Sequence, residues 1–137
     1  MYINKRKIHA DKMDAHRYKY GDLTEKIIGC AFEVQNNLGC GFLEKVYHRA
    51  LVYEFSGVGL KADINKRIKI FYKEKEVGIY IPDFIVGDKI IVELKTVDFL
   101  TKAHIAQVIN YLKATGYKVG LVLNFNKPRL EYKRIVN

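Results

Sequence analysis

Cysteine is scarce in this chain: Cys30 and Cys40 are its two. They form no C-x-x-C pair, and no further Cys or His run completes a set of zinc ligands, so a disulfide scaffold and a structural zinc site are both excluded. Free, reduced thiols in a cytosolic protein are the expectation. Proline and glycine are also few, at 2 and 10 residues, while 49% of the chain is apolar. That balance excludes a disordered or low-complexity chain and leaves an ordered globular one. No apolar run is long enough to span a bilayer. Met1-Tyr2-Ile3-Asn4-Lys5-Arg6-Lys7 carries charge with no apolar core behind it, which argues against a secretory signal. The expected location is therefore cytoplasmic. Acids are outnumbered, 15 against 24 Lys and Arg, for a net charge of +9. Such an excess points to an anionic partner, nucleic acid first, although ordinary solubility charge would look the same.

A length of 137 residues suits one domain with a real core. Residues 1–20 are polar and basic, with Lys5, Arg6, Lys7, Lys12, Arg17 and Lys19, and read as a loosely ordered arm ahead of a single domain over 21–137. Asp22 as N-cap with Glu25 three residues on predicts a first helix. Its apolar stripe is Ile27, Ile28, Ala31, Val34 and Leu38, and Gly39 stops it. A second helix is predicted from about Leu43 to Phe55, with Glu44 in its first turn and Tyr47 and His48 a turn later on the same side. After a polar connector, strands are predicted over 67–72, 77–86 and 89–97, with Lys73-Glu74-Lys75-Glu76 as a charged turn. Thr101 to Thr115 predicts a third helix with a core stripe of Ile105, Val108, Ile109 and Leu112. His104, Gln107 and Tyr111 form a polar line beside that stripe. Val119–Phe125 and Leu130–Val136 predict two last strands. The fold class is α/β, a mixed sheet flanked by helices.

Within Ile81-Pro82-Asp83-Phe84-Ile85-Val86-Gly87-Asp88-Lys89-Ile90-Ile91-Val92-Glu93-Leu94-Lys95, two apolar strands carry charge that needs a reason. Cleaving a phosphodiester calls for a metal on the phosphate, an activated water and stabilisation of developing charge. Carboxylates suit Mg²⁺, a hard cation that prefers oxygen. Asp83 and Glu93 would supply two ligands and the Leu94 carbonyl a third. Lys95, two residues past Glu93 in a strand, leaves by the same face and would orient the attacking water or neutralise the phosphate. Glu44 would approach from the second helix as a further ligand, direct or through water. The set carries a geometric condition. With a two-residue loop at Gly87-Asp88, Val86 would face Lys89 and Asp83 would point away from Glu93, so the turn must be odd in length or a strand must bulge. Pro82, unable to donate to a ladder, makes an irregularity there reasonable.

Gly41-Phe42-Leu43-Glu44-Lys45-Val46-Tyr47 matches G-x-x-E-x-x-Y. Together with Asp83, Glu93-x-Lys95 and Gln107-x-x-x-Tyr111, in that order over residues 21–136, the chain resembles the GxxExxY family, which is grouped with the PD-(D/E)XK nuclease superfamily. The resemblance implies a restriction-endonuclease-like core and a Mg²⁺-dependent deoxyribonuclease in which Mn²⁺ substitutes for Mg²⁺. It implies metal on Asp83 and Glu93, Lys95 as catalytic lysine, Glu44 as the helix glutamate that joins the site, and Gln107 and Tyr111 contacting DNA. Gly39-Cys40-Gly41 stands where relatives tend to have Gly-Pro-Gly, a difference in the loop and not in the chemistry.

Each residue also has a plainer reading. Asp83, Glu93 and Lys95 would form a structural ion pair at a strand end, Glu44 would satisfy a helix dipole, and Gln107 and Tyr111 would pack over the sheet edge. His104 reads as a capping or surface residue, and Tyr47 as a core residue with its hydroxyl satisfied. Two further function classes follow: a nucleic-acid-binding module without turnover, and an interaction protein such as a homodimer whose acids are ion-paired.

Overall fold

The computed structural model describes residues 19–137. Most of the basic arm expected over 1–20 lies outside the described residues. Tyr20, the residue before the first helix, has a left-handed backbone (φ 57°), and Lys89 Nζ sits 5.3 Å from its ring centroid.

Helix α1 spans Gly21–Leu38. Asp22 falls inside its first turn and is not the N-cap that the spacing predicts; Tyr20 holds that position without a side-chain cap. The apolar stripe behaves as expected, with Ile27, Ala31 and Val34 buried. Gly39 closes the helix, its N–H donating to the Gln35 carbonyl at 2.8 Å. Helix α2 covers Glu44–Gly57 and buries Tyr47, Leu51 and Phe55.

A short strand follows, β1 (Ala62–Ile64), in what reads from sequence as a polar connector. Strands β2 (Ile68–Tyr72) and β3 (Lys75–Tyr80) pair as a separate two-stranded ribbon. The single strand predicted over 77–86 is in fact two. The chain leaves the ribbon after Tyr80 and re-enters as β4 (Phe84–Val86) in the main sheet. Pro82 explains the break, since it has no N–H with which to continue a ladder. Strand β5 (Ile90–Lys95), helix α3 (Lys102–Thr115), β6 (Val119–Asn124) and β7 (Glu131–Val136) complete the chain. Thr101 caps α3: its Oγ1 accepts from His104 N–H at 3.3 Å, and its own N–H donates to His104 Nδ1 at 3.0 Å. His104 is thus a capping residue.

The main sheet has five strands in the order β1-β4-β5-β6-β7. Strands β5 and β6 are parallel and joined by α3, while the other neighbours are antiparallel. Strand β5 is central and covered on both faces, which is why it is apolar on both. Ile90, Val92 and Leu94 pack with α1 and α2, whereas Ile91 packs with α3 and the ribbon. Helix α3 lies close on the sheet at Gly120, where an added Cβ would come to 3.0 Å from Val108 Cγ1. The fold is mixed α/β with helices on both faces of the sheet. Among the described residues, no helix is long and apolar enough to cross a membrane.

Candidate active site

The turn between β4 and β5 decides whether the charged residues meet. Val86 pairs with Ile90, Ile85 with Ile91 and Phe84 with Val92. The loop is therefore three residues, Gly87-Asp88-Lys89, and the same register carried one step outward sets Asp83 opposite Glu93. Directly opposed residues share a face, so the odd-length turn required by the sequence is present. Left-handed backbone at Gly87 (φ 62°) and Asp88 (φ 57°) forms it, with Lys89 N–H donating to the Val86 carbonyl at 3.1 Å. Glycine suits 87 because its φ is left-handed, and an added Cβ would also press to 3.0 Å on Leu23 Cδ2.

The two acids interlock with the backbone. Glu93 Oε1 accepts from the Asp83 N–H at 2.9 Å, and Asp83 Oδ2 accepts from the Leu94 N–H at 2.8 Å. Side chains thus replace the ladder bonds that stop beyond Phe84. Each carboxylate keeps a second oxygen outside these bonds. Burial pushes the Glu93 carboxyl up to about 7, against the pull of the Asp83 N–H and with the negative charge of Asp83 adding to the rise. The ion pairs among the described residues are Lys61–Asp88 and Lys69–Glu76, both exposed; none involves Lys95. A structural ion pair of Lys95 with either acid is therefore not what these residues form. The half-buried Lys95 shares the Glu93 face, and its positive charge lowers the pKa of Glu93.

Helix α2 brings Glu44 to the same place. Desolvation and the charge of Asp83 raise its carboxyl above the usual value, while Lys95 and His48 act the other way. The G-x-x-E-x-x-Y spacing has a local reason. Tyr47 is fully buried, its ring stacked on Phe125 at 4.6 Å. Its hydroxyl donates to the Gly39 carbonyl at 2.6 Å and accepts from the Phe42 N–H at 3.3 Å. The tyrosine thereby fixes the glycine loop from which Glu44 begins the helix. His48, one turn past Glu44, stacks on Phe84 at 4.3 Å with Nε2 3.4 Å from the Asp83 carbonyl oxygen.

Helix α3 treats its two predicted residues differently. Gln107 is exposed. Tyr111 is half-buried and lies parallel to Tyr80, with ring centroids 3.8 Å apart and planes 3° off. The hydroxyl of Tyr80 is buried and makes no well-formed hydrogen bond among the described residues, with the Glu93 side chain as the polar group near it. Tyr80 and His48 are the two neighbours of the acids that the motif pattern misses. The register of β3 and the i, i+4 spacing from Glu44 were the signals available for them.

The loop after Lys95 is tied down. Asn124, fully buried, accepts from the Val97 N–H at 3.1 Å and donates to the Val97 carbonyl at 2.9 Å and to Glu131 Oε1 at 3.0 Å. Glu131 also accepts from the Leu100 N–H at 3.0 Å. Gln35 donates to the carbonyls of Phe125 and Lys127, which holds the neighbouring turn.

The donors suit a hard divalent cation: two adjacent carboxylates, one with its pKa raised by burial to about 7, and a lysine that forms no ion pair among the described residues beside them. Among the described residues, no three His, Cys, Asp or Glu side chains gather closely enough to hold a metal ion. Glu44 is near enough to Asp83 for that acid's charge to raise its pKa.

In fold, the chain is similar to the crystal structure of SSO0001, with a TM-score of 0.50 and 18% identity. The alignment covers 68% of this chain and 50% of that one, so the chain spans half the length of its structural neighbour. No curated protein sequence matches it. A family model described as the PD-(D/E)XK nuclease superfamily matches residues 21–135, the stretch that holds Glu44, Asp83, Glu93, Lys95, Gln107 and Tyr111. With the sheet, the interlocked acids and this match together, the chain belongs to the PD-(D/E)XK nuclease superfamily.

Proposed function

We propose that this protein is a cytoplasmic, Mg²⁺-dependent nuclease of the GxxExxY type that hydrolyses DNA phosphodiester bonds. The observation that carries the reading is the opposition of Asp83 and Glu93 across the broken strand, beside a Lys95 that forms no ion pair among the described residues. Asp83, Glu93 and the Leu94 carbonyl are the residues that would hold the cation, with Glu44 acting through water. When bound, a divalent cation supplies Lewis acidity and neutralises phosphate charge. Lys95 holds the attacking water and offsets the negative charge that develops on the phosphate. Gln107 and Tyr111, on α3, face the strand of the substrate. Mn²⁺ is expected to substitute for Mg²⁺.

The test is incubation with linear, nicked, branched and single-stranded DNA in Mg²⁺ or Mn²⁺. Cleavage should appear in at least one substrate and vanish in Asp83→Ala and Lys95→Ala. Activity that survives either substitution would remove this site as its source. The net charge of +9 supports one second reading, a nucleic-acid-binding module on the same fold. That reading predicts salt-sensitive binding and no cleavage with any metal. A homodimer forms no part of either.

A further inference from the structure

Tyr80 ends β3, one residue before the chain crosses between sheets at Ile81-Pro82. It is 4% exposed, and its Oη makes no well-formed hydrogen bond among the described residues, although it lies close enough to the Glu93 carboxylate to interact with it. An unsatisfied buried hydroxyl is unfavourable, and native structures keep few of them. Its ring is held from one side by the parallel Tyr111 ring at 3.8 Å, so the hydroxyl is not free to swing out to water. The strand fixes its direction too: Tyr80 packs on the α3 side of the sheet, the side that Glu93 and Asp83 also face. A phenol is an O–H donor at physiological pH, and the acids around this one are Glu93 first and Asp83 after it. Glu93 has one oxygen committed, Oε1 to the Asp83 N–H, and one uncommitted.

We infer that Tyr80 is a positioning residue for the acidic pair: its hydroxyl takes the Glu93 carboxylate as acceptor and fixes the orientation in which Glu93 meets a divalent cation. This gives the Tyr80–Tyr111 stack a purpose. Tyr111 braces the ring, the ring aims the hydroxyl, and the hydroxyl sets the carboxylate. Outer hydrogen-bond partners of this kind raise metal affinity by orienting the ligand before the ion arrives. The inference rests on the proposed metal site.

Tyr80→Phe removes one oxygen and keeps the ring and its stack. Mn²⁺ would be titrated calorimetrically, without DNA, into wild type, Tyr80→Phe and Asp83→Asn, alongside the melting temperature of each metal-free protein. The expected result is wild-type binding, loss of binding in Asp83→Asn, and about 10-fold or greater weakening in Tyr80→Phe with a metal-free melting temperature near or a little below wild type. A hydroxyl that only fills space would leave the Mn²⁺ affinity of Tyr80→Phe within about 2-fold of wild type; that overturns the inference and leaves the metal site standing. Wild type that binds Mn²⁺ no better than Asp83→Asn overturns both. As a second variant, Tyr111→Leu removes the brace and keeps the Tyr80 hydroxyl. It should weaken Mn²⁺ by a smaller factor, and an unchanged affinity there would remove the stack from the account.

Discussion

Burial holds the Glu93 carboxyl at a pKa of about 7, against an ordinary 4.5, and the sign of that shift makes a prediction. The folded state binds the proton more tightly than the unfolded chain does, so the stability that the protonated form contributes is full at low pH. It is lost as pH rises from 4.5 to about 7. The Glu44 carboxyl is raised as well and adds in the same direction. Metal-free protein should thus lose on the order of 2 kcal/mol between acid and neutral pH, allowing for partial exposure, as read by urea unfolding at pH 5 and pH 8. Glu93→Gln should flatten most of that slope. A cation takes the place of the proton, so added Mg²⁺ should stabilise more at pH 8 than at pH 5. At Glu131 the balance reverses. Burial works against its charge, but hydrogen bonds from Asn124 and the Leu100 N–H prevail and lower its pKa.

Elements matter through register. In β4, Phe84, Ile85 and Val86 are all fully buried, so a strand slip exchanges one set of core contacts for another and cannot pass unnoticed. Deleting Asp88 would leave only Gly87 and Lys89 to close the turn; regaining a three-residue loop would slip the register by one, to Ile85 opposite Ile90 or Val86 opposite Ile91, and turn Asp83 away from the Glu93 face. The expected cost is about 3 kcal/mol or more, with Mn²⁺ binding lost in whatever fraction folds; circular dichroism melting and calorimetry would read the two. Tyr47→Phe tests the glycine loop. It leaves the Gly39 carbonyl and the Phe42 N–H without their partner, which should lower stability by about 1–2 kcal/mol and loosen the start of α2. Proteolysis near Cys40 would report that loosening. These elements were unequally visible in the residues alone. Helix α3, with its stripe and glycine stop, and the central place of β5 could be read from periodicity. So could the demand for an odd turn, which follows from the two-residue repeat of a strand. The division of 77–86 into β3 and β4 could not, because Val77 to Val86 is apolar throughout except at Pro82 and Asp83, and hydropathy does not say which partner a strand takes. Strand β1 was hidden for a related reason: its three residues pair with β4 across a gap in sequence, a long-range contact with no local signal. Tyr80 carries no signal of its own in the sequence, since its meaning depends on what α3 sets beside it.

At the level of the whole molecule, the excess of 24 basic over 15 acidic residues sets a long-range field. Binding of DNA by metal-free protein should fall at least about 10-fold between roughly 50 and roughly 200 mM salt, by fluorescence anisotropy, while Mn²⁺ affinity at the half-buried pair Asp83 and Glu93 should change less. Phe99 is 61% exposed, on the loop that Asn124 and Glu131 tie down, with Lys127 Nζ 5.8 Å from its ring. The sheet thus presents its acids, a lysine and an exposed aromatic on segments fixed by buried hydrogen bonds.

The interlocking of Asp83 and Glu93 with the backbone has a consequence for descent as well as for chemistry. Each acid closes a hydrogen bond that β4 and β5 would otherwise lack. A lineage that abandoned cleavage would still meet selection for folding at both positions, so the pair would outlast the activity. Lys95, which closes no such bond, would drift first, and its presence is the better witness to a working nuclease. Laboratory knock-outs inherit the same logic. Asp83→Asn keeps an acceptor for the Leu94 N–H, whereas Asp83→Ala opens the sheet while it silences the site.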